Sequence, residues 1–513
     1  MRPIFLAIWP PSLDKARGEI RTVAVSFPGR VCDLAANGFD HGTANMNSIR
    51  KIRPLLCGIA AVAGCAHFQP QPLPPEKYAA QFDARRLDDP GLKSFLAQNA
   101  GGVPADWPRA QWDLNSLTLA AFYFHPGLAV ARAEWRVAQA GVLTAGARPN
   151  PSVSFSPSYD TQIPGNYSPW LIPVTFDFPI EIAGKRGKRI AEAEKAAESA
   201  RWSFVSAAWQ IRSGVRANLL EFSVAGRRAE LLQRQFAAQT DIVKLLQGRF
   251  DAGAVARPEL TLAQIAQHKT QLDLSSARSQ QADARGRLAE ALGVSLASLD
   301  GLKFEFKYSA GEPEGLNSTE ARGVALRQRA DILGALADYA ATEADLRLQI
   351  ARQYPDLHLG PGYAWNNGNA GDNQWILGAT LELPVLDQNH GPIAQADAQR
   401  KLAAARFVAL QAQVCGQIDG AVARVRVARE QLRSTDQLIA AEKEQEKSAR
   451  AQLEAGAGDR LDVLNAQLES ANAALTRLDS EERLQSALGA LEDALQQPAD
   501  SLAAVIKHIS SKL

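Results

Sequence analysis

The chain has 513 residues, 46% hydrophobic and 22% charged, with a formal net charge of +1. That length leaves room for roughly two to four domains. The balanced charge removes both the basic field of a nucleic-acid binder and the acidic excess of a disordered tail. No apolar run reaches the ~18 residues that a membrane helix needs, so any membrane crossing has to be made with strands.

Read from the N-terminus, Met46-Asn47-Ser48-Ile49-Arg50-Lys51-Ile52-Arg53 is a basic segment. The apolar stretch Leu55 to Ala63 and then Gly64-Cys65 follow it, the layout of a secretory signal peptide. Val62-Ala63-Gly64-Cys65 resembles the bacterial lipobox, in which the signal is cut before a Cys that is then acylated. A short buried helix with an incidental Cys is the bland alternative. Residues 1–45 are then expected to be an over-extended start or an untypical leader, and 46–64 a lipoprotein signal peptide. Cys65 is the expected lipidation site, leaving a mature chain of 513 − 64 = 449 residues. Cys32 and Cys57 fall in the leader, so Cys415 is left single and no intrachain disulfide is expected. Ala66 after the Cys favours sorting to the outer membrane. Residues 65–112 read as an N-terminal tether, because the run from Gln69 to Pro75 cannot form a regular helix.

Beyond the tether the chain repeats itself at a spacing of roughly 203–205 residues. Leu128, Ala133, Glu134 and Trp135 recur as Ile332, Ala337, Asp338 and Tyr339. Ala252-Gly253-Ala254, Arg257, Glu259 and Ala263-Gln264 recur as Ala455-Gly456-Ala457, Arg460, Asp462 and Ala466-Gln467. The ordered set marks a duplication: residues 113–300, a linker at 301–320, residues 321–497, and a C-terminal tail at 498–513.

Each copy reads helix, strand, strand, long helix, turn, helix. Strands are expected near 151–160, 170–180, 355–365 and 374–384 from alternation of apolar and small or polar residues. Trp170, Ile172, Val174, Phe176 and Phe178, for example, alternate with Thr175 and Asp177. Their length of about ten residues spans a bilayer when tilted. Two soluble hairpins on a core are the alternative. Four strands cannot close a barrel, and an open edge cannot face lipid, so a membrane reading demands partner chains. From about Gly187 to Phe250, and again from Pro392 to Leu453, good helix formers dominate. Helices of ~60 residues run about 90 Å, too long for one globular core, and suggest coiled-coil packing.

Paired hairpins between very long Ala-rich helices, duplicated behind a lipobox, resemble the TolC-like outer-membrane efflux family over nearly all of residues 110–497. The resemblance implies a mainly α fold with a membrane β-barrel. Long helices would form a periplasmic α-barrel, and four strands per chain a twelve-stranded barrel in a homotrimer. It implies a lipid-anchored outer-membrane channel of a tripartite RND-type system, working with a periplasmic adaptor and an inner-membrane pump. The turns at Gly253 and Gly456, with Arg257 and Arg460, correspond to the adaptor-docking tips. Asp462 and Glu259 correspond to carboxylates ringing the periplasmic aperture, although an acid at Asp462 also suits a helix N-terminus. Where some members have a further acid and a basic residue, this chain has Asn465 and Gly458. Gly184-Lys185-Arg186 is similar to the signature of the cobalt–zinc–cadmium branch, which implies a heavy-metal cargo. A basic strand-to-helix turn is the plainer reading of the same residues.

No catalytic set is legible, so no enzyme, cofactor or nucleic-acid partner is expected. The seven His are scattered without metal-ligand spacing, and no metal site is expected. His358 reads as an ordinary polar lining residue. No phosphate-binding loop could power transport. The competing functions are a multidrug efflux lipoprotein and, in another class, a periplasmic coiled-coil adaptor or scaffold.

Overall fold

The computed structural model describes residues 68–99, 107–162, 169–308, 318–366 and 373–498. The expected leader, signal peptide and Cys65 lie outside them, as does nearly all of the C-terminal tail. Contacts divide the chain into a small unit, Met1–Arg85 with Ala97–Val103, and a large one, Arg86–Leu96 with Pro104–Leu513. In the small unit, residues 68–74 have no regular structure and α1 (Pro75–Asp83) begins with a proline at its first position. A second helix, α2 (Pro90–Asn99), also falls within the stretch expected as a tether. Its start is fixed by the Asp89 carboxylate, which accepts from Leu92 N–H at 2.9 Å.

In the large unit the two repeats follow one plan. The first has α3 (Leu114–Phe124), α4 (Pro126–Ala145), α5 (Lys185–Asp251) and α6 (Arg257–Leu292). The second has α7 (Ser318–Gln328), α8 (Ala330–Ala351), α9 (His390–Glu454) and α10 (Arg460–Leu495). The 67 residues of α5 and 65 of α9 run about 100 Å each at 1.5 Å per residue. Their packing is that of coiled coils. On α9 the buried residues Val414, Ile418, Ala421, Val425 and Ala428 alternate steps of four and three. Leu484, Leu488, Leu491 and Leu495 of α10 do the same and share their core, the seam of a 3.5-residue repeat. Ala at the contacts lets the backbones approach closely.

Between the helices lies an antiparallel sheet in the order β2 (Ser152–Phe155), β4 (Trp170–Ile180), β6 (Leu357–Asn366) and β7 (Gln374–Leu381). The short β3 (Ser158–Tyr159) continues β2 along β4 in the same register. The break between them falls opposite Pro173, which has no N–H to give the ladder. The β4–β6 ladder likewise skips the rung facing Pro361. A separate parallel pair, β1 (Gln111–Asp113) with β5 (Lys303–Glu305), buries Trp112 completely and joins the chain entering the first repeat to the linker that follows it.

One buried polar cluster ties the end of the second repeat to α5. Arg212 Nη1 donates to Glu492 Oε2 at 3.0 Å, and Arg216 Nε lies 3.4 Å from the same oxygen. Trp209 Nε1 and Ser213 Oγ donate to Asp493 at 3.1 and 2.6 Å. Arg212, Arg216 and Glu492 expose no more than a tenth of their side chains. A Cβ at Gly489 would stand 2.1 Å from Arg216 Nη1, so the guanidinium occupies the space a larger residue would need.

Candidate functional site

Both helix reversals are built alike. After α5, Gly253 takes φ +74°. Its N–H donates to Phe250 O at 2.9 Å and the next N–H, of Ala254, to Arg249 O at 2.7 Å. After α9, Gly456 takes φ +71°, with the matching bonds to Leu453 O and Gln452 O at 3.1 and 2.9 Å. These satisfy the last carbonyls of each helix. A Cβ at either glycine would meet nothing within 4 Å, so the demand is for the left-handed conformation rather than for space.

The helix starts beyond the turns differ. α6 follows Ala256, which offers no side-chain cap, and carries Pro258 in its first turn. α10 starts with a capping box: Asp459 accepts from Leu461 N–H at 3.3 Å, and Asp462 accepts from Asp459 N–H at 3.2 Å. Asp462 therefore serves the helix terminus, while its residue remains exposed at the tip, as do Glu259, Arg257 and Arg460. The tips meet through a residue that sequence reasoning missed. Arg249, in the last turn of α5, donates from Nη2 to both Asp459 oxygens at 2.5 and 2.6 Å. The Arg249 hydrogen bond, helped by Leu461 N–H, holds the Asp459 carboxyl below the usual range. Glu259 and Asp462 add to the negative field around the same guanidinium. Beneath them Ile242, Leu246, Leu260 and Leu464 form one apolar cluster, so three helices from both repeats share a core at the tip. The Asp459-x-x-Asp462 pattern is legible as a capping box; Arg249, 210 residues away from Asp459, has no local signal.

The basic run after β4 is a structural joint. Ala183 and Gly184 both take left-handed φ, +58° and +68°, and Lys188 Nζ holds the turn by donating to Ala183 O at 2.7 Å. Arg186 Nε donates to Gly146 O at 2.7 Å, and Arg189 to Ala145 O and Ala147 O at 3.3 and 3.2 Å. These are carbonyls at the C-terminus of α4, where a cation also suits the helix dipole. Arg189 is paired in addition with Glu181. Lys185, 7% exposed, reaches Asp356 at the foot of β6 with 2.8 Å between Nζ and Oδ1. Every cation of the run is engaged within the chain, so the plainer reading accounts for its chemistry.

The sheet sorts its residues by face. Register places Val153, Phe155, Val174, Phe176, Tyr363, Trp375 and Leu377 on one side. Much of that side is bare: Trp375 is 85% and Leu377 83% exposed, while Val174 and Tyr363 are half-buried. Ser152, Thr175, Asp177, His358 and Thr380 take the opposite side, with Gly360, Gly362 and Gly378. The outer edges of β2 and β7 have no strand partner among the described residues. No described helix is long and apolar enough to cross a membrane. Among the described residues, no group of three or more His, Cys, Asp or Glu is gathered for a metal ion.

Against known proteins, residues 123–294 and 322–496 match the family model described as outer membrane efflux protein, one segment for each repeat. The cobalt-zinc-cadmium resistance protein CzcC of Cupriavidus metallidurans is 25% identical over 295 residues, 57% of this chain and 69% of that protein. Among solved structures, the outer membrane protein VceC of Vibrio cholerae has a TM-score of 0.62 at 19% identity. The match covers 75% of this chain and 96% of that one. CusC, with a TM-score of 0.59 at 17% identity, covers 74% and 91%.

Proposed function

The chain belongs to the outer membrane efflux protein family, and we propose that three copies close one barrel and form a passive exit duct for divalent heavy-metal cations. The sheet carries this reading. It has an apolar face that exposes Val153, Phe155, Phe176, Trp375 and Leu377, an opposite face that is polar or glycine toward its foot, and two edges with no strand partner among the described residues, which lipid and neighbouring copies would satisfy together. Three chains supply twelve strands, an even number in the range such barrels use. The long helices would then form the periplasmic part of the duct. An inner-membrane RND pump supplies the energy, an adaptor joins pump to duct, and Cys65 carries the lipid anchor.

At the periplasmic end, Gly253 and Gly456 with Arg257 and Arg460 form the surface offered to the adaptor. Asp462 and Glu259 give the aperture its negative field, which draws cations toward it. Arg249–Asp459 ties the two tips of one chain together and resists their separation. The resemblance of CzcC favours metal ions over drugs as cargo. Native mass analysis of the detergent-extracted protein should give a trimer; a monomer with retained strand content would sink the barrel. Deletion of the gene should lower tolerance to zinc, cobalt or cadmium. Lost drug tolerance with unchanged metal tolerance would support the multidrug alternative instead.

A further inference from the structure

On the polar face of the sheet, one rung from the foot of β6, His358 Nδ1 lies 3.0 and 3.1 Å from the two oxygens of Asp177 on β4. An ionised carboxylate can only accept, so Nδ1 carries the proton and donates it. Nε2 is then the ring atom left with a lone pair, and it has no hydrogen-bond partner among the described residues. A histidine whose second nitrogen donates to a carboxylate is the arrangement that orients imidazoles toward metal ions and raises their basicity. The side chains are 39% and 44% exposed. Ser152 faces Asp177, and Thr380 faces His358, across the neighbouring strands. Gly360 and Gly378, opposite one another on the same face, present no side chain beside the ring. The nearest carboxylate along the chain, Asp356, is taken by Lys185.

We propose that His358, oriented by Asp177, offers Nε2 as a single exchangeable ligand to borderline-soft divalent cations passing the foot of the barrel. The proposal rests on the exit-duct reading, under which the polar face lines the lumen and three copies present three imidazoles. One imidazole per chain, with water completing the coordination shell, captures zinc, cobalt or cadmium briefly and releases it. Conduction requires that balance, because a multidentate site would hold its cargo. Hard cations such as magnesium prefer oxygen donors and would pass without stopping. The alternative role for the pair is mechanical: it clasps β4 to β6 beside Pro179, which has no N–H to give the ladder.

The test uses the full-length detergent-solubilised trimer and carbethoxylation by diethyl pyrocarbonate, read at each histidine by peptide mass spectrometry. Zinc chloride should slow modification of His358 in the wild type, and magnesium chloride should not. Asp177→Asn should need about ten-fold or more additional zinc for equal protection, the usual scale for losing such an orienting partner. In planar bilayers, zinc should reversibly reduce the potassium current of the wild type and leave that of His358→Ala unaffected. No zinc protection of His358, or a protection curve unmoved by Asp177→Asn, would overturn the ligand role and leave a clasp. Zinc tolerance of the deletion strain reports separately on the cargo. Tolerance lost without protection of His358 keeps the duct and refutes the ligand.

Discussion

In the first repeat, Gly184 turns the chain from strand to helix at φ +68°, and Arg186 and Arg189 cap the carbonyls that end α4. At the same place in the second, Asn389 makes the turn at φ +60°, and its own amide donates to Gln349 O at 2.7 Å. A similar contrast recurs where each repeat ends. Gly293 closes α6 at φ +73°, and a Cβ there would lie 2.8 Å from His125 Cα. Gln496 closes α10 at φ +50°, and its Oε1 accepts from Ala330 N–H at 2.8 Å. Duplication has kept the backbone conformations and let the groups that satisfy them diverge. Some of the diverged groups now bind the other copy: Asp459 takes Arg249, and Glu492 takes Arg212 and Arg216. The residue 203 positions before Glu492 is Ala289, buried and apolar.

The sharpest way to break the contrast is at that buried link. Glu492→Ala makes the second repeat like the first but takes the carboxylate from two buried guanidinium groups, of which Arg216 keeps Gln485 O. Loss of one partner of such a pair costs about 3–5 kcal/mol, measured by urea unfolding of the solubilised protein. Asp419→Ala, which breaks the exposed pair with Arg322, should cost at most about 1 kcal/mol. Equal losses would mean that burial is not what distinguishes the repeats.

Exchanging the closing residues should be asymmetric. Gly293→Ala combines a left-handed backbone, about 1–2 kcal/mol for a residue with a Cβ, with the close approach to His125. Gln496→Gly relieves the same backbone cost while giving up a hydrogen bond of ~1 kcal/mol, so it should be near neutral. Similar thermal midpoints for the two variants would refute the asymmetry.

At the tips the expected effect is on gating. Asp459→Asn should raise single-channel conductance or the open fraction, with little change in unfolding. The Asp459 carboxyl is held low by Arg249. The stabilisation is therefore present above the ordinary carboxylate pKa and lost only as pH falls through the lower folded value. Between pH 5 and 8, wild-type conductance should owe no pH dependence to this pair. A pH response in that window that disappears in Asp459→Asn would contradict the assignment.

The smallest effect is expected just below the first joint. Burial, with Asp345 nearby, raises the Glu192 carboxyl above its usual range. A carboxylate raised on folding opposes the fold when charged, so its penalty is relieved as pH drops through the raised value. Glu192→Gln should be slightly more stable than wild type at neutral pH, with the difference shrinking toward acid pH. A constant difference across that range would show that charge is not its cause.

Much of this architecture was legible because it is periodic. The long helices reach from Lys185 to Asp251 and from His390 to Glu454, within two residues of where their composition changes. The strands follow their alternation, trimmed where Pro157 and Pro384 interrupt it. Helices α1 and α2 escaped notice because proline-rich flanks hid two short segments. The tip residues Gly253, Gly456, Glu259 and Asp462 could be found from their repeat. Arg249, the partner of Asp459, could not, and neither could the contact of Asp177 with His358. Those pairings depend on how distant elements pack, and no local pattern encodes that.

The gap at Ser156-Pro157 also matters to a chain that has left the ribosome and not yet met its partners. Until assembly its outer strands are open templates on which any passing extended segment could grow, the usual beginning of aggregates. On the first of those edges the template is cut into rungs of four residues and two, with a proline between that cannot donate to an incoming strand. A stray peptide finds too short a run to hold. In the proposed trimer a second copy, guided by its helices, would not depend on those rungs alone. The proline thus screens guests by size, and the cost would be a weaker seam in the proposed barrel.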